Sequence, residues 1–375
     1  MRTHLLAAML FAWLGHGLAC AEQPLIVLDE PASVPCFRAS GEYLLWWFQR
    51  GGVPPLLTGG GNGVLGAPGT QVLVDNLDFN DDARQGGRFT LGWQFASRNI
   101  GVEVGYFFLA DGQAEVAFAS DGEPVLGQPF IDAATGNPNA VLVADPGNAV
   151  GGATVSADTT LWGLEANLTT GLTESAGFRL TGLAGFRFLN LDDAVTIDDR
   201  FVTFGNRVGI QDSFRAANRF YGGQVGLEAG LQRGAFTLDL RGKLGLGAME
   251  QVAEITGETE ALAPNGTLTI LRGGVLAQRT NIGRHQRHQL AFVPEVGVHL
   301  GWQLTRAAKL SAGYSLLWLS SVARAGEQID PVVNERQIPV RFGNQPFPGP
   351  LRPAFDFVGS SFWAQGVSVG LELRY

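Results

Sequence analysis

Gln365-Gly366-Val367-Ser368-Val369-Gly370-Leu371-Glu372-Leu373-Arg374-Tyr375, at the very end of the chain, alternates apolar and polar residues up to a terminal aromatic. Val367, Val369, Leu371, Leu373 and Tyr375 form one face, and Ser368, Gly370, Glu372 and Arg374 the other. Successive strand side chains point to opposite sides of the pleat, so this period of two predicts a strand. Full charges on its polar face leave two settings. The oily face meets either the core of a soluble sandwich, or lipid, with the charges turned toward an aqueous lumen.

The composition favours lipid. Charged residues are 16% of the chain against about 25% in ordinary soluble proteins, and 52 of 375 residues are Gly. Mean hydropathy is slightly positive, yet beyond the N-terminal region no apolar run approaches the roughly 18 residues of a spanning helix. A barrel reconciles the two, because it spreads its hydrophobicity over alternate residues.

Residues 1–21 read as an export signal: Arg2 supplies the basic start, an apolar core follows, and Ala19-Cys20-Ala21 forms an A-x-A cleavage site. Gly17-Leu18-Ala19-Cys20 is the alternative, a lipoprotein box. Cleavage after Ala21 would leave Cys36 alone, excluding an internal disulfide framework in an exported chain. The formal charge would move from −9 to 25 − 35 = −10, and Lys243 and Lys309 are the only lysines, so nucleic acid is a poor partner. Residues 22–37, with Pro24, Pro31 and Pro35, read as an extended periplasmic linker, and 38–375 as one barrel.

Within that barrel, 41–48 form the first strand, whose aromatic end (Trp46, Trp47, Phe48) suits a membrane–water boundary, with a buried core strand as the alternative. Hairpins follow at 88–95 with 100–108, 160–168 with 177–188, 221–231 with 236–246, and 289–302 with 309–318. Long segments at 49–87, 110–154, 190–218, 249–288 and 320–360 separate them, the second carrying a possible extra strand at 114–120. Pro294 lacks an N–H, so a bulge or break is expected there. In 236–246, Phe236, Leu238, Leu240, Leu244 and Leu246 alternate with Thr237, Asp239, Arg241 and Lys243. Turning that strand over would face cations to lipid at about 2–4 kcal/mol each. The pattern gives an all-β fold: a single antiparallel transmembrane β-barrel of about ten strands (10–12), with both ends on the side of the short turns. Short periplasmic turns and long extracellular loops are the barrel rule, placing the chain in the bacterial outer membrane with membrane lipid as its surroundings.

The last strand also resembles the closing strand of bacterial outer-membrane barrels, whose alternation and terminal aromatic imply reading by the assembly machinery; Tyr375 stands where Phe is usual. Tyr43-Leu44-Leu45-Trp46-Trp47, Gly86-Gly87-Arg88-Phe89-Thr90-Leu91-Gly92, Ala184-Gly185-Phe186-Arg187-Phe188-Leu189, Thr280-Asn281-Ile282-Gly283-Arg284 and Phe362-Trp363-Ala364-Gln365-Gly366 resemble blocks of the putative beta-barrel porin-7 family of planctomycete outer-membrane proteins. That resemblance runs from about Phe37 to Tyr375 and implies an outer-membrane β-barrel with a porin label, but no catalytic or binding residues.

Candidate chemistry is sparse. Gly61-Asn62-Gly63-Val64-Leu65-Gly66 spells a dinucleotide motif without a strand before it or a helix after it. His285 and His288 are three apart, a metal spacing only on a helix, in what reads as a loop. Asp75, Asp78, Asp81 and Asp82, like Asp192, Asp193, Asp198 and Asp199, form acidic clusters without EF-hand spacing. No cofactor is expected. The informative set faces the lumen: Glu103, Glu165, Arg179, Arg187, Glu228, Asp239, Arg241, Lys243, Glu295, His299, Glu372 and Arg374. In a barrel this narrow, mixed charges pair, so a constricted lumen is expected. The functional reading is a porin-like passive channel for ions or small solutes. The alternatives are a structural or adhesive surface barrel and, less favoured, an outer-membrane hydrolase using His285 or His288.

Overall fold

The computed structural model describes residues 36–75, 83–95, 99–343 and 345–375. The expected export signal, linker residues 22–35, and Asp78, Asp81 and Asp82 lie outside them. Ten strands form a closed ring: β1 (Cys36–Phe48), β2 (Arg84–Gln94), β3 (Ile100–Ser120), β4 (Ala149–Ser175), β5 (Phe178–Thr203), β6 (Asn206–Arg233), β7 (Phe236–Leu262), β8 (Gly283–Gln303), β9 (Ala308–Val322) and β10 (Ser360–Arg374). Each is antiparallel to the next, and β1 pairs with β10, so no edge stays open. In lipid this closure is obligatory, since the hydrocarbon offers an unpaired N–H or C=O no partner. Among the described residues no helix is long and apolar enough to cross a membrane.

The terminal strand sits as its alternation predicts. Val367, Val369, Leu371 and Tyr375 face outward, while Ser368 is buried inside. The adjoining run Tyr43 to Phe48 splits between two environments: Tyr43 and Trp47 are exposed on the outer wall, whereas Leu44 and Trp46 are fully buried in the lumen. The expected boundary cluster is therefore half core. The first strand also begins at Cys36, two residues inside the expected linker.

Strand length is unequal around the ring. β1, β2, β9 and β10 run 11 to 15 residues, while β4 to β7 run 26 to 28. A membrane crossing takes about 9–11 residues, so the long strands rise far beyond it. Residues 190–218, expected as a loop, are instead β5 and β6 joined at Phe204 and Gly205, both at positive φ (48° and 81°). Much of 110–154 and 249–288 is strand as well, including the suspected 114–120.

These strands keep a period of two but exchange polarity. On the lower part of β5, Phe186 is exposed and Arg187 buried; on the upper part, Val195 and Ile197 are buried while Asp192 and Arg200 are exposed. On β7 the outward series Leu240, Leu244, Leu246 gives way to Glu254 and Glu258. The inversion marks where lipid ends and water begins.

Inside the raised wall the connections fold back as a cap. Four short strands (Leu57–Gly59, Gln71–Val74, Leu126–Asp132, Pro138–Ala144) and a two-residue strand, Val332–Val333, form a second sheet. Leu57, Phe130 and Val143 of this sheet pack with Val155, Ile197, Phe214 and Ile255 of the wall in one apolar core. Asn218 and Asp193 tie the cap to the wall: Asn218 accepts from the Ala323 N–H at 2.7 Å, and Arg324 donates to Asp193 at 2.9 Å.

At Pro294 the ladder to β7 continues without a register shift, while pairing with β9 stops at Glu295 opposite Leu317. Beyond it side chains take over, with the Phe292 N–H donating to Ser320 Oγ at 2.9 Å. The expected break is real but one-sided.

Candidate functional site in the barrel lumen

Inward positions of neighbouring strands bring residues remote in sequence into one charge lattice. Glu103 on β3 accepts from Arg241 on β7 at 2.8 Å and from Arg38 on β1 at 2.5 Å. Arg241 also reaches Glu228, its cross-strand neighbour on β6, at 3.0 Å. Lys243, two residues along β7, bridges Glu165 at 2.9 Å and Glu295 at 3.1 Å, and Glu295 also pairs with Arg187 and, at 3.2 Å, with Arg88. Gln224 fills the remaining gap, donating to Asn167 at 2.7 Å and Glu165 at 3.1 Å. Closer to the short turns, Lys309 joins Asp239 (3.0 Å) to Glu372 (3.4 Å), Arg374 holds Glu372 at 2.6 Å, and His299 stands 3.6 Å from Glu42. Arg179 lies at the mouth beside Asp239, Lys309 and Arg374.

All twelve residues expected to face the lumen lie on its side of the wall. Ten of them enter ion pairs; His299 stands beside Glu42, and Arg179 forms no ion pair with any described residue. Arg38, Glu42, Arg88 and Lys309 complete the lattice and were missed from sequence. Arg88 shares the parity of Thr90 and Gln94, the polar face of its strand and the signal that could have found it, whereas Glu42 shares its face with Leu44 and Trp46, so alternation marked no polar side there.

Open space shrinks along the axis. A cavity of about 130 Å³ opens at the short-turn end among Glu174, Arg179, Asp239, Lys309 and Arg374. About 90 Å³ remains around Arg38, Glu103, Glu228 and Arg241, and about 20 Å³ beside Arg88, Arg187, Lys243 and Glu295. Past that the lumen turns apolar. Leu44, Trp46, Leu161, Phe220, Met249, Leu317 and Phe362 are fully buried in one cluster across the bore. Glycine makes room for them: a Cβ on Gly163 would sit 2.6 Å from the Phe107 ring and 2.5 Å from Leu189, and one on Gly366 would sit 2.6 Å from Trp46.

The other candidates separate. His285 and His288 lie on β8, where residues three apart face opposite sides of the sheet; they cannot share a metal ion. His285 points inward and stacks on Phe355 at 3.7 Å, while His288 is exposed. Gly61 to Gly66 form turns in the cap, and Asp75 follows the short strand Gln71–Val74 there. Asp192, Asp193, Asp198 and Asp199 alternate between faces of β5: Asp193 and Asp199 are buried, Asp192 is exposed, and Asp198 binds Arg200 at 2.7 Å. Among the described residues no group of three or more His, Cys, Asp or Glu could hold a metal.

Residues 39–375 match the family model described as Putative beta barrel porin-7. No curated protein matches the chain. Among solved structures, the outer membrane protease OmpT from Escherichia coli is similar at 11% identity and TM-score 0.39, covering 93% of this chain and 99% of its own. A Pseudomonas aeruginosa FadL homologue is similar at 8% identity and TM-score 0.27, covering 91% of this chain and 90% of its own.

Proposed function

The chain belongs to the Putative beta barrel porin-7 family, and from that premise we propose that this bacterial outer-membrane β-barrel is a closed surface barrel, displaying a rigid extracellular cap, rather than a standing pore. One observation carries the reading: the apolar layer of Leu44, Trp46, Phe220, Met249 and Phe362 leaves no exposed surface across the bore. An ion crossing it would shed its water with no polar group to replace it, a cost of several kcal/mol or more. The cap core and the charge lattice close the bore on either side of the layer.

A second reading, a passive channel for small ions, draws support from the charged funnel that narrows from the short-turn mouth. Planar-bilayer recording on refolded protein distinguishes the two. The closed barrel gives no ohmic steps, and the combined change Trp46→Ala, Phe220→Ala and Phe362→Ala introduces them. Steps from the unaltered protein would overturn the closed-barrel reading in favour of the channel.

A further inference from the structure

The outer surface of the raised wall carries a second concave site, unconnected to the lumen. Its floor is made by Ala217 on β6 and Ala194 on β5, whose short side chains leave a cavity of about 340 Å³ between longer neighbours. Arg215 and Arg219 flank Ala217 on the same face of β6, two residues to either side, so their guanidinium groups can converge above it. Arg215 is exposed and makes no ion pair or hydrogen bond with any described residue; Arg219 has only a loose pair, 3.6 Å, with Glu250. Asp192, in register with Ala217, and Asp158, in register with Ala194, form the acidic side. Glu254 and Arg284, opposite each other on β7 and β8, close the far end.

Height on the wall identifies the occupant. Two residues below Arg219 stands Tyr221, the last ring of an aromatic row on the lipid face: Tyr106 to Trp162 at 6.5 Å, Trp162 to Phe188 at 5.0 Å, Phe188 to Tyr221 at 5.0 Å. Such rows mark the membrane–water interface. The cavity thus opens at headgroup level, outside the barrel.

We propose that this groove binds the headgroup of an outer-leaflet lipid carrying both a phosphate and an ammonium. The phosphate lies over Ala217 between Arg215 and Arg219, and the ammonium lies against Asp192 and Asp158. A phosphate alone would meet those carboxylates unfavourably, so the acids select the zwitterion.

The test uses full-length barrel in detergent, native mass spectrometry, and phosphatidylethanolamine, phosphatidylglycerol or inorganic phosphate as probe. The unaltered protein retains phosphatidylethanolamine in preference to both others. Arg215→Ala with Arg219→Ala lowers that retention about tenfold, the effect of one or two charge-assisted hydrogen bonds. Asp192→Asn brings the two lipids level, and Arg207→Ala, near the hairpin tip, changes nothing. Heat-dependent gel mobility confirms that each variant is folded. Equal retention by the double variant, or equal binding of phosphatidylglycerol or free phosphate by the unaltered protein, overturns the proposal.

Discussion

Arg241 on β7 donates through a single guanidinium nitrogen to both carboxylate oxygens of Glu103 on β3, at 2.8 and 2.9 Å, across the lumen. Their strands are not neighbours in the ring, so the pair spans the bore rather than lining it. It turns a tube into a braced cylinder.

Glu103, itself buried, also holds Arg38, so Glu103→Gln leaves two half-buried guanidinium groups short of charge. Removing one partner of a buried pair costs about 3–5 kcal/mol. Urea unfolding in vesicles is expected to show a loss of that order. The same change at Glu174, exposed at a short turn, is expected to shift the midpoint little.

The polarity inversion along β7 is tested with one residue type at two heights. Leu244→Arg puts a cation on the lipid face at mid-height, at about 2–4 kcal/mol. Thr256→Arg, also outward but above the inversion, is exposed to water, and its unfolding midpoint is expected to stay within error of the parent. Equal losses at the two positions would remove the proposed membrane boundary.

Above the membrane, two buried carboxylates of the wall, Asp199 on β5 and Asp212 on β6, are held off their usual titration range. Burial, followed by the nearby carboxylates of Asp212 and Asp198, holds Asp199 well above the usual carboxylate range. Burial raises Asp212 as well, opposed by hydrogen bonds from the Ala277 N–H and Gln128. Between the ordinary carboxylate value and the raised one, the folded protein keeps a proton on this pair that the unfolded chain has released. Stability is therefore full at low pH within this pair and falls as pH rises through the raised value. Hydrogen exchange of the β5–β6 hairpin is expected to quicken with pH beyond its intrinsic rate, and Asp199→Asn to flatten that excess. An unchanged excess in the variant would place the titration elsewhere.

Ser320 replaces a missing backbone partner at the seam between β8 and β9. Ser320→Ala leaves the Phe292 N–H unpaired beside lipid, a cost of about 1–3 kcal/mol. Solvent exchange at Phe292 is expected to rise while amides below Glu295 keep their protection.

The alternation of residues 236–246 and 365–375 was enough to assign strands, faces and the location of charge, because a lipid-facing wall permits only one orientation of a strand bearing Asp239, Arg241 and Lys243. The lattice members named from those two stretches and their neighbours all face inward. The raised wall was harder to read. Above the membrane the solvent, not the backbone, changes, so residues such as Asp192 and Asp198 look like loop when sought by the lower pattern, although their period is still two.

What the chain decided alone is which side of each strand faces lipid, since that depends on neighbours two residues away and on the energy of a charge in hydrocarbon. Whether the bore is open depended on tertiary structure. Leu44, Trp46, Phe220 and Phe362 each stand next to an apolar residue of the opposite face (Leu45, Trp47, Tyr221, Trp363), so both faces read alike there, and only ring closure, which sets them opposite one another over glycines such as Gly163 and Gly366, packs them into one buried layer.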